Sequence, residues 1–293
     1  MSSTVEPLAD DVALAYLEHL GLDLRPGAVD VTTLRRLQRA HVERVPYETV
    51  DIVLGRPPGI DPLQSARRIV GGRGGYCYHL NGAFSALLAW LGVDVTRHLA
   101  GVHGGRVEEP PGPDGNHLGL IVRTLDGEVW LVDVGLGDGP AEPLVLAEGE
   151  HVQRGFRYRL RPSPFGDGIW RFEHDPGGGF AGFDVATQVA TMEDFQAMHA
   201  FLSTQSSFAT TVTVQRRAGS GLEILRGCVY TERSADVARA TEVTAADEWW
   251  ELVLDHFRLS YGNLTTDERS SLWQRVLREH EAWRAQGGSG PAE

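Results

Sequence analysis

The stretch GGRGGYCYHLNGAFSALLAWLGVDVTRHLA, residues 71–100, contains the change of period on which the fold turns. From Cys77 to Leu91 the apolar residues Leu80, Phe84, Leu87, Leu88 and Leu91 recur at helical spacing, and Gly92 suits the position just past a helix end. From Val93 onward the period drops to two, as in a strand. Upstream everything reads as helix. Asp10–Leu20 gathers Val12, Ala13, Tyr16, Leu17 and Leu20 on one face; a second helix, capped by Thr32 or Thr33, carries Leu34, Leu37 and His41 and ends before Pro46; a third begins at Asp61-Pro62.

Downstream the chain reads mainly as strands. Val93–Leu99, His117–Thr124 and Glu128–Val134 are predicted, with a tight turn at Asp126-Gly127 between the last two. Phe156–Leu160 with Ile169–His174, and Thr210–Arg216 with Leu222–Thr231, form two more predicted hairpins. Helices return at Ala245–His256 and Thr266–Ala285, and disorder is expected after Gln286. Helices, then strands, then mixed elements imply a segregated α+β fold and not alternating βαβ units.

Composition removes whole classes of function. All 27 basic residues are arginine, which excludes Schiff-base, pyridoxal-phosphate and Walker-A chemistry that needs a lysine amine. A net charge of −13 disfavours nucleic acid as a partner. No run of about 18–20 apolar residues suggests a membrane span, and the acidic Met1–Asp10 stretch lacks the marks of a signal peptide. Two cysteines, Cys77 and Cys228, form no CxxC pair, so a reducing, cytoplasmic setting is expected. The richness in Arg, Ala and Gly suggests a GC-rich bacterial genome.

Cys77 is the outstanding chemical candidate. It opens a helix, where unpaired amides and the helix dipole favour a thiolate, and the preceding glycines would let an acyl carbon approach. The competing reading is a buried structural cysteine, as expected for Cys228 in the strand Leu225–Tyr230. A nucleophilic cysteine needs a base. His79, two positions on, faces another side of the helix; His98 and His103 flank a strand end and its loop; His117 opens an apolar strand after a Pro/Gly/Asp loop and can face a cleft. Asp133, in the apolar run Trp130–Gly135, calls for a partner unless it is a turn or cap residue. A two-residue turn at Asp126-Gly127 sets Asp133 opposite Leu120, three positions or roughly 10 Å from His117, so contact requires a longer loop or a bulge. A zinc site drawn from Cys77, His79, His98, His103 and His117 lacks ligand spacing, and no metal is expected.

Several motifs together resemble the arylamine N-acetyltransferases. Arg73-Gly74-Gly75-Tyr76-Cys77-Tyr78 with Leu80-Asn81 is similar to the family's nucleophile motif. Asn116-His117-Leu118 resembles its histidine motif, and Val132-Asp133-Val134-Gly135-Leu136-Gly137 its aspartate motif. His41–Thr49 resembles its H-x-x-x-I-P-F-E-N segment, and Phe201–Phe208 the segment leading into its third domain. The resemblance implies an N-terminal helical bundle over 1–92 carrying the nucleophile, a central β-barrel over 93–200 carrying His and Asp, and a C-terminal α/β domain over 201–293. It implies that Cys77 is acylated, that His117 is its base and that Asp133 orients His117. It further implies a ping-pong reaction with acetyl-CoA or another acyl-CoA as co-substrate, and no tightly bound cofactor.

Three positions depart from the family pattern: His79 stands for the usual Glu, Leu136 for a Phe that commonly lines the acceptor pocket, and Thr49 for Asn. A smaller Leu136 would admit a bulkier or non-aromatic amine. Three functions stay open: acetyl transfer to small arylamines or hydrazines; amide synthesis from a larger acyl thioester, for which an acyl carrier protein is a candidate partner; and a thiol hydrolase or transglutaminase-like reaction. Coenzyme A would have to be held locally by arginines, backbone amides and glycines such as Gly135 and Gly137.

Overall fold

The computed structural model describes residues 5–104 and 110–288. The expectation of disorder after Gln286 falls, past residue 288, outside the described residues, as do the first four residues of the acidic N-terminal stretch.

In chain order the elements are α1 (Asp10–His19), α2 (Val31–Arg44), β1 (Tyr47–Glu48), α3 (Val50–Val53), α4 (Pro62–Val70) and α5 (Cys77–Trp90). There follow β2 (Asp94–His103), β3 (His117–Arg123), β4 (Val129–Val132), β5 (Leu144–Val145), β6 (Gly149–Gln153), β7 (Phe156–Pro162), β8 (Ile169–Glu173) and β9 (Gly182–Ala190). The chain closes with α6 (Gln196–Gln205), β10 (Thr213–Ala218), β11 (Gly221–Arg226), β12 (Val229–Arg233), β13 (Ala238–Glu242), α7 (Ala246–Glu251) and α8 (Thr266–Ala285).

The predicted helix starts hold because their caps do. Asp30, one turn earlier than the expected threonines, accepts from Thr33 N at 2.7 Å, and Asp61 accepts from Gln64 N at 2.8 Å. Helix α5 is apolar on nearly every side and runs through the core. Leu80, Phe84 and Leu88 pack on Leu17, Leu34 and Leu37 from the outer helices, and the same core takes in Leu118, Leu120 and Val122 of β3. Helix and strand that carry the candidate cysteine and histidine are thereby fixed to one another.

Eight antiparallel strands in the order β5-β4-β3-β2-β9-β8-β7-β6 make a nearly closed barrel, filled by Phe156, Tyr158, Phe172 and Phe183 among others. A second sheet, β1-β10-β11-β12-β13, buries Val214 and Leu225 against Trp249, Val253, Leu272 and Trp273 of the C-terminal helices. The molecule is thus α+β with a helical N-terminus, a central barrel and a C-terminal sheet and helices, as expected. Strand β1 joins that last sheet from far upstream, pairing Tyr47 with Gln215 and Glu48 with Val214.

Four local expectations are corrected. Leu222–Thr231 is not one strand: it breaks at Gly227, whose φ of +57° makes the turn between β11 and β12. Cys228 sits on that turn, fully buried, and not within a strand. The helix from Ala246 widens at Leu252–His256, where Phe257 N reaches back five residues to Leu252 O at 2.8 Å. The β3–β4 connection has three residues, since Thr124 N bonds Glu128 O and the ladder pairs Arg123 with Val129.

Candidate active site

That third loop residue decides where Asp133 faces. With two residues, Asp133 would sit opposite Leu120, on the other face of the sheet from His117. The observed register pairs Leu120 with Val132. One step further it sets Asp133 across from Gly119, two positions from His117 and on the same face. Diagonal neighbours of this kind are about 7–8 Å apart, within reach of two side chains. His117 Nε2 meets Asp133 Oδ2 at 2.6 Å, with both groups buried.

The chain then leaves the ladder because Asn81 draws it away. Asn81 Oδ1 accepts from Val134 N at 2.9 Å, and its Nδ2 donates to Leu118 O at 2.7 Å and to Asp133 Oδ1 at 3.0 Å. Gly135 N supplies a further bond to Asp133 Oδ1 at 2.8 Å. One amide therefore ties α5, β3 and the aspartate segment together, and both oxygens of the buried carboxylate are hydrogen-bonded. Asn81 was quoted in the sequence only as part of a motif. Its position four residues after Cys77, on the same helix face, was the available signal.

Cys77 is the first residue of α5 and lines a cavity of about 380 Å³ with His117, Gly135, Leu136, Phe180 and Phe208. Its Sγ reaches Asn116 O at 3.9 Å, and Nδ1 is the His117 nitrogen left for the thiol once Nε2 faces the carboxylate. Burial pulls the His117 imidazole down, but the charge and hydrogen bond of Asp133, with Cys77, outweigh it and push the group up to about 10. Just before β3, Asn116 continues the ladder with its side chain, accepting from Val102 N at 2.7 Å and donating to Val102 O at 3.1 Å. Tyr78 donates to Gly115 O at 2.6 Å, so the loop carrying His117 is pinned to the helix carrying Cys77.

The glycines before Cys77 do something other than expected. A Cβ at Gly74 would come within 2.1 Å of Pro46 O, so the glycine admits the neighbouring β1 backbone, whose Glu48 N bonds Gly75 O at 2.9 Å. None of Gly71 to Gly75 lines the cavity at Cys77. The glycine that passes close to the thiol is Gly135: a Cβ there would stand 2.8 Å from Cys77 Cα. Gly137, at φ +75°, packs against Gln215 and lies outside the lining of this cavity.

His79 accepts from Tyr76 N through Nδ1 at 3.3 Å and faces Pro58 O with Nε2 at 3.3 Å. It caps its own helix as a neutral group, since burial drags it down to about 3. His98 bonds Thr96 of its own strand β2 and the Gln188 carbonyl of β9, and β2 extends through His103. Among the described residues no three His, Cys, Asp or Glu side chains gather as metal ligands. No helix among them is long and apolar enough to cross a membrane. Thr49, the third departure, accepts from Thr213 N at 3.0 Å and fastens the β1 segment to the C-terminal sheet.

Comparison with known proteins adds an independent finding. A family model described as N-acetyltransferase matches residues 30–265. Proansamycin X synthase of Amycolatopsis mediterranei (strain S699) is 38% identical over 150 residues, 50% of this chain and 56% of that protein, so the match spans little more than half its length. The arylamine N-acetyltransferase of Mycolicibacterium smegmatis is 28% identical over 255 residues, 85% of this chain and 92% of that protein. The crystal structure of Nocardia farcinica arylamine N-acetyltransferase superposes with a TM-score of 0.78 at 30% identity, covering 89% of this chain and 93% of that one.

Proposed function

The chain belongs to the arylamine N-acetyltransferase family, and from that premise we propose that Cys77, His117 and Asp133 carry acyl groups from coenzyme A thioesters to an aromatic amine or hydrazine. With its pKa raised, His117 already holds the proton taken from the Cys77 thiol when the sulfur attacks the thioester carbonyl. The tetrahedral intermediate expels the coenzyme A thiolate, which takes that proton back from His117. The amine then attacks the Cys77 thioester, His117 removes the amine proton, and Cys77 leaves with it. The unpaired first-turn amides of α5, whose first residue is Cys77, are the donors available to the developing oxyanion. Acyl-CoA serves as co-substrate, with no resident cofactor in the scheme.

The buried 2.6 Å contact between His117 and Asp133, beside a thiol at the mouth of a cavity, is the observation that supports this reading most. Intact-protein mass spectrometry tests it. With acetyl-CoA and no amine, one acetyl group should accumulate on Cys77, and adding an arylamine should discharge it. Prior iodoacetamide should alkylate Cys77 alone, because burial raises the Cys228 thiol to about 12. Loss of the adduct in water without amine would mark a hydrolase, and labelling of Cys228 with turnover intact would remove Cys77.

A second reading, amide synthesis from a larger or carrier-bound acyl thioester, is favoured by one observation: Leu136 lines the cavity where the family commonly has Phe. An aromatic wall adds roughly 0.5–1.5 kcal/mol to binding of a planar ring. Leu136→Phe is expected to raise kcat/KM for small anilines up to about tenfold over bulky amines, with acylation by acetyl-CoA little changed. If acylation moves and amine preference does not, Leu136 belongs to the donor side.

A further inference from the structure

A second cavity, of about 540 Å³, lies where α2, the β6–β7 turn, the β10–β11 hairpin and the segment after α7 meet. It shares no lining residue with the cavity at Cys77. Six arginines line it: Arg44, Arg73, Arg154, Arg216, Arg217 and Arg258. In a chain of net charge −13 this is a strong local reversal of sign. Glu43, the one carboxylate among the described residues of the lining, is held by Arg154. Arg73 and Arg216 reach Asp51 and Glu223 outside it, whereas the side chains of Arg44 and Arg258 make no hydrogen bond or ion pair among the described residues. His19 adds no carboxylate-like balance; burial and Arg44 lower its pKa.

The guanidinium groups in the lining outnumber its carboxylate, and separate elements of the fold bring them together. Arg217 is 1% exposed, and its Nη1 has no hydrogen-bond partner, although Nε and Nη2 bond Gly139 O, Asp138 O and Tyr158 Oη. Arg154 and Arg258, at φ +54° and +59°, are the only non-glycine described residues in the left-handed region, and both line this cavity. Arg154 takes that conformation as the first residue of the two-residue β6–β7 turn, and Arg258 in the turn that ends the preceding helix; both turns deliver an arginine to the same cavity.

We propose that this junction binds a phosphate-chain anion, of the pyrophosphate or nucleoside-polyphosphate class, at a site separate from the acyl donor's. Guanidinium forks match phosphate oxygens two at a time, and several such forks around one cavity select a multiply charged anion over a single carboxylate. Such a ligand would touch the helical part, the barrel and the C-terminal sheet at once.

Calorimetric titration of the full chain with inorganic pyrophosphate, ionic strength held with sodium chloride, tests the proposal without using turnover. Saturable one-site binding is expected, weakened about tenfold by Arg44→Ala, the loss of one charged contact. Arg258→Gly should weaken it similarly while leaving the unliganded Tm unchanged or higher, because glycine adopts the left-handed backbone freely. Saturating coenzyme A should not displace pyrophosphate. Absence of saturable binding, or wild-type affinity in both variants, overturns the site. Displacement by coenzyme A would assign the cavity to the acyl donor and overturn its separateness.

Discussion

Asp133→Asn is expected to lower acylation of Cys77 by about four orders of magnitude, the loss seen when the aspartate of a serine-protease triad becomes asparagine. Asparagine keeps an oxygen for Asn81 Nδ2 and Gly135 N, which bond Asp133 Oδ1 in the wild type. The strand end should therefore stay in place. What changes is the group facing His117 Nε2: an amide N–H replaces the carboxylate oxygen, and the imidazole must turn its proton toward Cys77. With the charge of Asp133 gone, burial is opposed by Cys77 alone, and the imidazole pKa falls from about 10 in the wild type. Single-turnover acylation together with an NMR pH titration of the imidazole checks both statements. A folded Asp133→Asn protein that acylates at a near-normal rate would take the carboxylate out of the mechanism.

Gly135→Ala should cost about a hundredfold in the same half-reaction. The added methyl would lie 2.8 Å from Cys77 Cα, 3.1 Å from its Cβ and 2.8 Å from Asn81 Nδ2. None of these is the loose end of a long side chain, so the helix start must shift. A displacement near 1 Å at a nucleophile is enough for such a loss. Overpacking also costs about 1–3 kcal/mol of stability, so Tm is measured beside the rate. A variant with lowered Tm but unchanged acylation would show that Gly135 serves packing alone.

Much of this site was legible because its chemistry is local. Cys77 at a helix start needs only the glycine run and the apolar spacing after it, and Thr266–Ala285 runs as predicted under its Thr265 cap. The approach of His117 and Asp133 was not legible. It turns on a single loop residue, and sequence patterns do not separate a two-residue from a three-residue connection at Asp126-Gly127. The central strand β9 has no counterpart in the sequence reading, because its apolar alternation is broken by Asp184. That carboxylate is fully buried and held by Arg171 at 2.7 Å and Ser163 at 2.6 Å. A buried pair of opposite charges looks, in one dimension, like two surface residues. Leu222–Thr231 fails for the reverse reason: its apolar residues run on through a turn that is itself buried.

The pairing of β1 with β10 has a consequence for biosynthesis. Thr49 bonds Thr211, 162 positions later, and the cavity at Cys77 takes Phe208, Thr213 and Gln215 from the same late segment. A ribosome releases the N-terminal helices first, and domains form in that order during synthesis. The thiol is therefore made early but acquires one wall of its pocket only when the last third of the chain emerges. A nascent chain stalled before Thr210 carries the cysteine, the histidine and the aspartate without the wall that Thr211, Thr213 and Gln215 supply. Completion of the cavity around Cys77 is therefore one of the final events of folding.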